Sequence, residues 1–199
     1  MTPKEQSPLF EPELTLPPGL LFRPNFITED EEAAYLGLFK ELPLERVQFK
    51  EYQTKRRALD FGWDYDYEKE KLIPGPPLPD FLRPLQIKIG KWLDIKKWSV
   101  AQALLQEYPR GSAIGWHRDR EKFGMIIGVS FGGTCRMRWR PLSQIGNPKA
   151  VVSLPLPPRS AYVMARDIRW RWQHSIPAVP ELRYSITFRT IPQSEPLDY

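Results

Sequence analysis

The sequence predicts a mainly β, α+β domain with a jelly-roll core and helices at its N-terminal end. Three observations predict it. From Trp98 onward the chain breaks into strand-length runs at 99–108, 115–119, 124–131, 134–140, 149–154, 161–165, 168–174 and 183–190, punctuated by Gly and Pro, which argues an antiparallel sandwich or jelly roll. Helical periodicity is confined to the first half. At 199 residues and 41% hydrophobic, the chain suffices for one core and is too short for two ordinary domains.

Taken in order, residues 1–19 carry Pro3, Pro8, Pro12, Pro17 and Pro18 without periodicity and read as a mobile tail. A helix follows: Thr28 is its N-cap, Glu31 completes a capping box, and Phe26 or Ile27 staples the entry. Its apolar side is expected to use Ala34, Tyr35, Leu38 and Leu42, ending before Pro43. Residues 44–80 read as strand fragments and loops, among them Val47-Gln48-Phe49 and the aromatic run Phe61 to Tyr67. A second helix is expected from Asp80 to about Ile95, burying Phe81, Leu85, Ile89 and Trp92. The folded domain spans 20–192, and 193–199 form a C-terminal tail.

Composition narrows the class. No stretch approaches the ~18 consecutive apolar residues that a membrane helix needs, so no membrane partner is expected. Met1 to Gln6 lack the layout of a secretory signal. Cys135 is the single cysteine, which forbids an intrachain disulfide and points to a cytoplasmic chain with Cys135 as a small buried hydrophobe; a monomer is expected, on no signal of its own. The charge balance is mildly basic, 29 Lys+Arg against 24 Asp+Glu. Its distribution is more informative. Arg136, Arg138 and Arg140 alternate with Met137 and Trp139, so a strand sends all three arginines to one face. Clusters of this kind beside aromatics favour a nucleic-acid partner over plain solvated charge.

The chain contains only two histidines. His117 opens His117-Arg118-Asp119, and His174 stands far downstream. A His-x-Asp with one distant His is the two-His-one-carboxylate pattern that leaves positions open on Fe(II). In a strand, His117 and Asp119 project to one face, Trp116 and Arg118 to the other; Trp170, Trp172 and His174 would likewise share a face. In the last strand Arg183, Ser185, Thr187 and Arg189 share one face and Tyr184, Ile186 and Phe188 the opposite. Two inward arginines are costly unless anions meet them, and a dicarboxylic cosubstrate is a natural partner. Gln102, Leu104, Gln106 and Tyr108 also share a face, which brings Gln106 and the Tyr108 hydroxyl to that interior.

These residues carry a resemblance. Gln106-Glu107-Tyr108-Pro109-Arg110-Gly111, Ile114 to Asp119, Val129 to Gly132, His174 and the closing Arg183-Tyr184-Ser185-Ile186-Thr187-Phe188-Arg189 together resemble the AlkB family of Fe(II)- and 2-oxoglutarate-dependent dioxygenases, over roughly residues 20–192. The resemblance implies a double-stranded β-helix core and an enzyme using Fe(II), 2-oxoglutarate and O2. It implies iron ligation by His117, Asp119 and His174. Arg183, assisted by Tyr108, would pair with the distal carboxylate of 2-oxoglutarate, and Arg189 would lie near the proximal carboxylate and Asp119. The family carries Asn two residues before the tyrosine; here Gln106, one methylene longer, takes that place as a cosubstrate contact.

For substrate, the resemblance implies oxidative demethylation of N-alkylated bases of the 1-methyladenine or 3-methylcytosine type in DNA or RNA, releasing succinate, CO2 and formaldehyde. The alternative within the family is a hydroxylase or demethylase acting on tRNA modifications or on protein. Trp63, Tyr65 and Tyr67 match the family's nucleotide-recognition lid and are candidates for stacking on the base, or else form the buried face of a hairpin. Glu121 falls where base-repair members carry an acid near the exocyclic amine, or else is a surface partner for Arg120 or Lys122.

Overall fold

The computed structural model describes residues 16–49, 52–66, 71–95 and 100–192. Of the two expected tails only 16–19 fall in these ranges, and there Leu16 already packs against the core. Two antiparallel sheets face each other. The larger runs β1 (Leu20–Arg23), β10 (Ala161–Met164), β7 (Ile126–Gly132), β12 (Arg183–Arg189), β5 (Gln102–Tyr108), β3 (Tyr52–Asp66) and β2 (Glu45–Phe49), with β4 (Lys71–Pro74) added on β3. The smaller runs β6 (Ile114–His117), β11 (Trp172–Ile176), β8 (Cys135–Pro141) and β9 (Val152–Leu156). Helix α1 (Glu29–Glu41) and helix α2 (Arg83–Trp92) complete the jelly-roll domain, with the short α3 (Arg166–Trp170) leading into β11.

Period-two alternation makes the layers. On β7, Ile127, Val129 and Phe131 point to the helices, as do Tyr184, Ile186 and Phe188 on β12. Arg183, Ser185, Thr187 and Arg189 point between the sheets, as expected. On β8 the buried Met137 and Trp139 join the inter-sheet core and leave the arginines outside.

Helix α1 begins at the expected capping box: the Thr28 hydroxyl accepts from the Glu31 amide and the Glu31 carboxylate accepts from the Thr28 amide. Its buried stripe differs from expectation. Tyr35 and Phe39, one turn apart, anchor it together with Glu32, while Ala34 is exposed and Leu38 only partly covered. The larger rings reach furthest into the sheet: Phe39 meets Phe131 edge-on at 5.1 Å and Tyr184 at 5.6 Å. Burying one such ring contributes about 1.5–3 kcal/mol. Helix α2 buries Leu85 and Ile89, with Phe81 and Trp92 at the margin.

Two expected strands are corrected. Residues 166–170, read partly as strand, form α3, with adjacent Ile168 and Arg169 both buried, a pattern period two cannot supply. Trp170 is therefore 38% exposed rather than aligned with Trp172 and His174. The run expected at 115–119 ends at His117, which leaves Asp119 on the following loop.

Residues 44–66, expected as fragments, hold one long strand that changes partners. β3 pairs with β5 from Arg57 to Gly62 and with β4 from Trp63 to Asp66. The switch occurs at Gly62, whose φ of +86° and whose Cβ, if present, would lie 2.2 Å from the Ala101 carbonyl oxygen, admit only glycine.

The β3–β5 seam is held by a fork. Arg57 donates from Nε and Nη2 to the two Glu107 carboxylate oxygens at 2.8 and 2.6 Å, and the Tyr184 hydroxyl donates to Oε2 at 2.9 Å. Burial would raise the Glu107 carboxyl, but the Arg57 fork and the Tyr184 hydroxyl outweigh it and hold it below the ordinary range. A carboxyl depressed in the folded state contributes stability above its unfolded value and loses it as pH falls through the folded one. Glu107→Gln is expected to cost about 1–3 kcal/mol at pH 7. The difference from wild type should shrink as pH falls below about 4.3. Urea melts at pH 7 and pH 3.5 check both.

Candidate active site

His117 and His174 face each other as register partners on β6 and β11, their ring centroids 4.2 Å apart. A bulge makes this possible. Ile176 pairs with Ile114 and His174 with His117, so three steps on β6 span two on β11. Ile114 and His117 can then both face the interior although their spacing is odd. Asp119, on the loop just after, brings its carboxylate to the same point: ligand atoms of His117, Asp119 and His174 all lie within 4.8 Å of one another.

Each of the three is prepared for a cation. The Nδ1 of His117 lies 3.0 Å from the Gly115 carbonyl, so a proton there donates to the backbone and Nε2 keeps its lone pair. Burial pushes His174 down to about 3; the Asp119 carboxylate opposes this without prevailing, so the imidazole is neutral at pH 7. Burial would raise Asp119, but the Arg189 guanidinium and the two imidazoles hold it well below the usual carboxylate range. The two carboxylate oxygens are divided: Arg189 donates to Oδ1 from Nε and Nη2 at 3.0 and 2.7 Å, while Oδ2 faces His174 Nε2 at 3.4 Å. Arg189 also donates from Nη1 to Gln102 at 2.7 Å, and Gln102 donates to Asp60 at 3.0 Å.

Deeper between the sheets sits Arg183, 1% exposed. It donates from Nη2 to the Ser130 hydroxyl at 2.8 Å and lies 4.8 Å over the Tyr108 ring. Its Nε and Nη1 are buried without a protein acceptor. A guanidinium with two unused donors in a chamber shared with His117, Asp119 and His174 fits a carboxylate at that end. The Tyr108 hydroxyl donates to Gln106 Oε1 at 2.9 Å, so Gln106 and Tyr108 line this chamber together. Two imidazoles and one carboxylate are the donor set of an Fe(II) site with open positions, and both halves of the group therefore fit the residues present.

Outside lies a cleft of about 640 Å³. Gln106, Ile114, His117, Asp119 and Arg189 line both spaces, so two of the triad stand in the wall between chamber and cleft, while His174 lines the chamber. Thr54, Arg56 and Asp60 from β3 face the cleft opposite it.

Of the expected substrate residues, Trp63 and Glu121 lie outside the cleft lining. Trp63 is 42% exposed on the β3–β4 hairpin and does not line the cleft. Tyr65 is described through its backbone alone, paired with Leu72, and Tyr67 lies outside the described residues. The Glu121 side chain is 74% exposed, pairs with Arg118 at 3.4 Å, and is not among the cleft residues.

Sequence reasoning gave Ser130 and Gln102 no role of their own and passed over Arg169 altogether. Arg169 is 3% exposed and donates to the backbone carbonyls of Gly124, Asp119, Arg120 and Phe123. It thus clamps the loop that carries Asp119. The one available signal was an arginine next to Ile168 in a run read as buried.

A jelly roll with a partly buried His-Asp-His cluster and an inward arginine beneath it defines a 2OG-Fe(II) oxygenase, and the chain belongs to that superfamily, whose pattern matches residues 20–189. Within the superfamily it is of the AlkB family, a dioxygenase dependent on Fe(II), 2-oxoglutarate and O2. It is 31% identical over 170 residues to mouse tRNA (carboxymethyluridine(34)-5-O)-methyltransferase ALKBH8, covering 81% of this chain and 24% of that protein. It is 26% identical over 193 residues to the Arabidopsis thaliana alkylated DNA repair protein ALKBH8 homolog, covering 85% of this chain and 53% of that one. The chain thus spans about half or less of the length of these two relatives. The structure of OsALKBH1 shares the fold at a TM-score of 0.65 and 13% identity, covering 88% of this chain and 100% of that one. No described helix is long and apolar enough to cross a membrane.

Proposed function

We propose that the protein oxidatively demethylates N-alkylated nucleobases of the 1-methyladenine or 3-methylcytosine type in DNA or RNA. The observation that carries this reading is the open cleft that reaches the triad at His117 and Asp119. Its volume of about 640 Å³ lies within the range of about 300–1,000 Å³ usual for small-molecule sites, and it suits an extruded base. The names of the two relatives, a tRNA-modifying and an alkylated-DNA-repair protein, support nucleic acid as the substrate class.

In this reading His117, Asp119 and His174 hold Fe(II), and Arg183 grips the distal carboxylate of 2-oxoglutarate with Nε and Nη1. When bound, the metal with 2-oxoglutarate and O2 supplies the oxidising power for N-methyl hydroxylation, yielding succinate and CO2, and the hydroxymethyl group leaves as formaldehyde. The chain's own part is positional. Arg189 holds Oδ1 of Asp119 so that Oδ2 is the ligand atom. Gln106 orients the Tyr108 hydroxyl toward the chamber. The sheets on either side keep water from the chamber, where Arg183 is 1% exposed. Selection for a cationic base falls to Asp60 in the cleft wall rather than to Glu121 on the surface. Trp63, Tyr65 and Tyr67 are kept as the candidates for stacking on the nucleotide.

Mass spectrometry of short oligonucleotides carrying 1-methyladenine or 3-methylcytosine, as DNA and as RNA, tests the reading. Wild type with Fe(II), 2-oxoglutarate and ascorbate is expected to remove one methyl mass, and His174→Ala none. Succinate formation without any methyl loss would overturn base demethylation. The 31% identity to a tRNA-modifying protein favours a second reading, hydroxylation or demethylation of a modified tRNA base, and tRNA belongs in the same assay.

A further inference from the structure

We propose that the outer face of the small sheet is a phosphate track that leads a single nucleic-acid strand into the cleft, with Arg136, Arg138 and Arg140 each seating one phosphate. The proposal rests on the nucleic-acid reading above and extends it to a surface outside the active site.

The alternation along β8 buries Met137 and Trp139 at 1% and 0% exposure, which sends the three arginines outward in a row. Residues two apart on a strand are about 6.6–6.8 Å apart, so the row presents evenly spaced cations. Their cross-strand neighbours are Pro155 and Ser153 on β9 and Ser175 and Gln173 on β11. Among the described residues no carboxylate forms an ion pair with any of the three, although Arg57, Arg118, Arg159, Arg171 and Arg189 each have one. An ordinary solvated face mixes the signs; the strand neighbours of these arginines are neutral.

The guanidinium groups are also held. Arg140 donates from Nε and Nη2 to Gln173 Oε1 at 2.9 and 2.7 Å, Arg138 from Nε to Ser175 at 3.2 Å, and Arg136 from Nη1 to Ser153 at 3.4 Å. Arg140 and Arg138 further stack on the Trp116 ring at 4.4 and 5.1 Å. Neutral partners fix the direction of each fork without cancelling its charge, and the remaining N–H groups face outward for phosphate oxygens. Trp116 itself lines the cleft, next to His117. The row is therefore continuous with the active site, and a strand lying along it delivers its next nucleotide to the triad.

The test is binding of the full chain to fluorescein-labelled unmodified 12-mers, single-stranded DNA and RNA, by anisotropy across 50–300 mM salt. The triple variant Arg136→Gln, Arg138→Gln, Arg140→Gln is compared with wild type and with a control variant, Arg83→Gln, Lys91→Gln, on α2. The expected result is at least about tenfold weaker binding for the triple variant alone, with the slope of log K against log salt reduced by about 2, since each single-strand phosphate contact contributes about 0.7. Its 2-oxoglutarate turnover in the absence of nucleic acid should match wild type, showing that the fold and metal site persist. Equal affinity and slope in the triple variant would overturn the track, as would an equal loss in the control. Competition by oligoglutamate as effective as by an oligonucleotide of the same charge would also overturn it, pointing to an acidic protein partner. The two readings fail separately. Track-dependent binding without demethylation of any base leaves the track and removes the demethylase. Demethylation with an unchanged triple variant does the reverse.

Discussion

Arg183→Met is expected to abolish 2-oxoglutarate binding while leaving the apoprotein as stable as wild type or more so. The two effects have one cause. Arg183 is fully enclosed, yet among the described residues only Nη2 has a hydrogen-bond partner, Ser130, and the charge rests over the Tyr108 ring. A buried guanidinium with two unused donors costs the empty fold free energy, and an apolar side chain of similar length relieves it; such replacements are neutral or stabilising by about 1–4 kcal/mol. The same donors are what a carboxylate would use. Each charge-assisted hydrogen bond contributes about 1.5–3 kcal/mol, so losing a bidentate pair should weaken 2-oxoglutarate by at least about 100-fold. Calorimetric titration with 2-oxoglutarate in the presence of Mn(II), beside thermal melts of both apoproteins, reads both effects. Undiminished binding would remove Arg183 from the cosubstrate site.

Arg169→Ala is expected to have the next largest effect, and to divide differently. This guanidinium satisfies four carbonyls of the 119–124 loop at once. Its removal takes a charged donor from each; the Arg120 carbonyl keeps the Phe123 amide, and the loss in this largely buried place costs about 3 kcal/mol or more. The loop it holds carries Asp119, so metal affinity should fall about 10- to 100-fold, the range seen when groups that orient ligands are lost. Arg183 stands on β12, remote from that loop, so the affinity for 2-oxoglutarate at saturating metal should change little. Arg169→Lys, with three donors for four acceptors, should recover part of the metal affinity. A variant that loses stability but binds metal like wild type would reduce Arg169 to a purely structural role.

These two residues show where reading the chain succeeded and where it could not. Arg183 was legible because it sits on a strand, and period two alone places it with Arg189 on the inward face. The capping box of α1 and the outward arginines of β8 were legible for the same reason: each depends on residues a few positions apart. Arg169 was not legible, because its partners lie about 45–50 residues away and are backbone carbonyls, which carry no sequence signature. The same limit explains the lid. Trp63, Tyr65 and Tyr67 alternate as a strand should, but the bend at Gly62 that sets the hairpin's direction depends on the carbonyl of Ala101.

The metal centre divides along the same line. Two histidines, one His-x-Asp and an Arg-x5-Arg strand were enough to name the ligand types and the chemistry, because ligand chemistry belongs to side-chain identity. The route by which they meet was a tertiary matter. Period two would have put Asp119 on the strand with His117; instead the strand stops, a bulge against β11 turns His117 inward, and Arg189 and Arg169 draw the loop in behind it. Glu121 was the carboxylate expected near the base, and Asp60, for which nothing was expected, is the one that lines the cleft, for a related reason. Sequence spacing can position a residue along its own strand or loop, but only the packing of β3 against β5 decides which carboxylate faces the cleft.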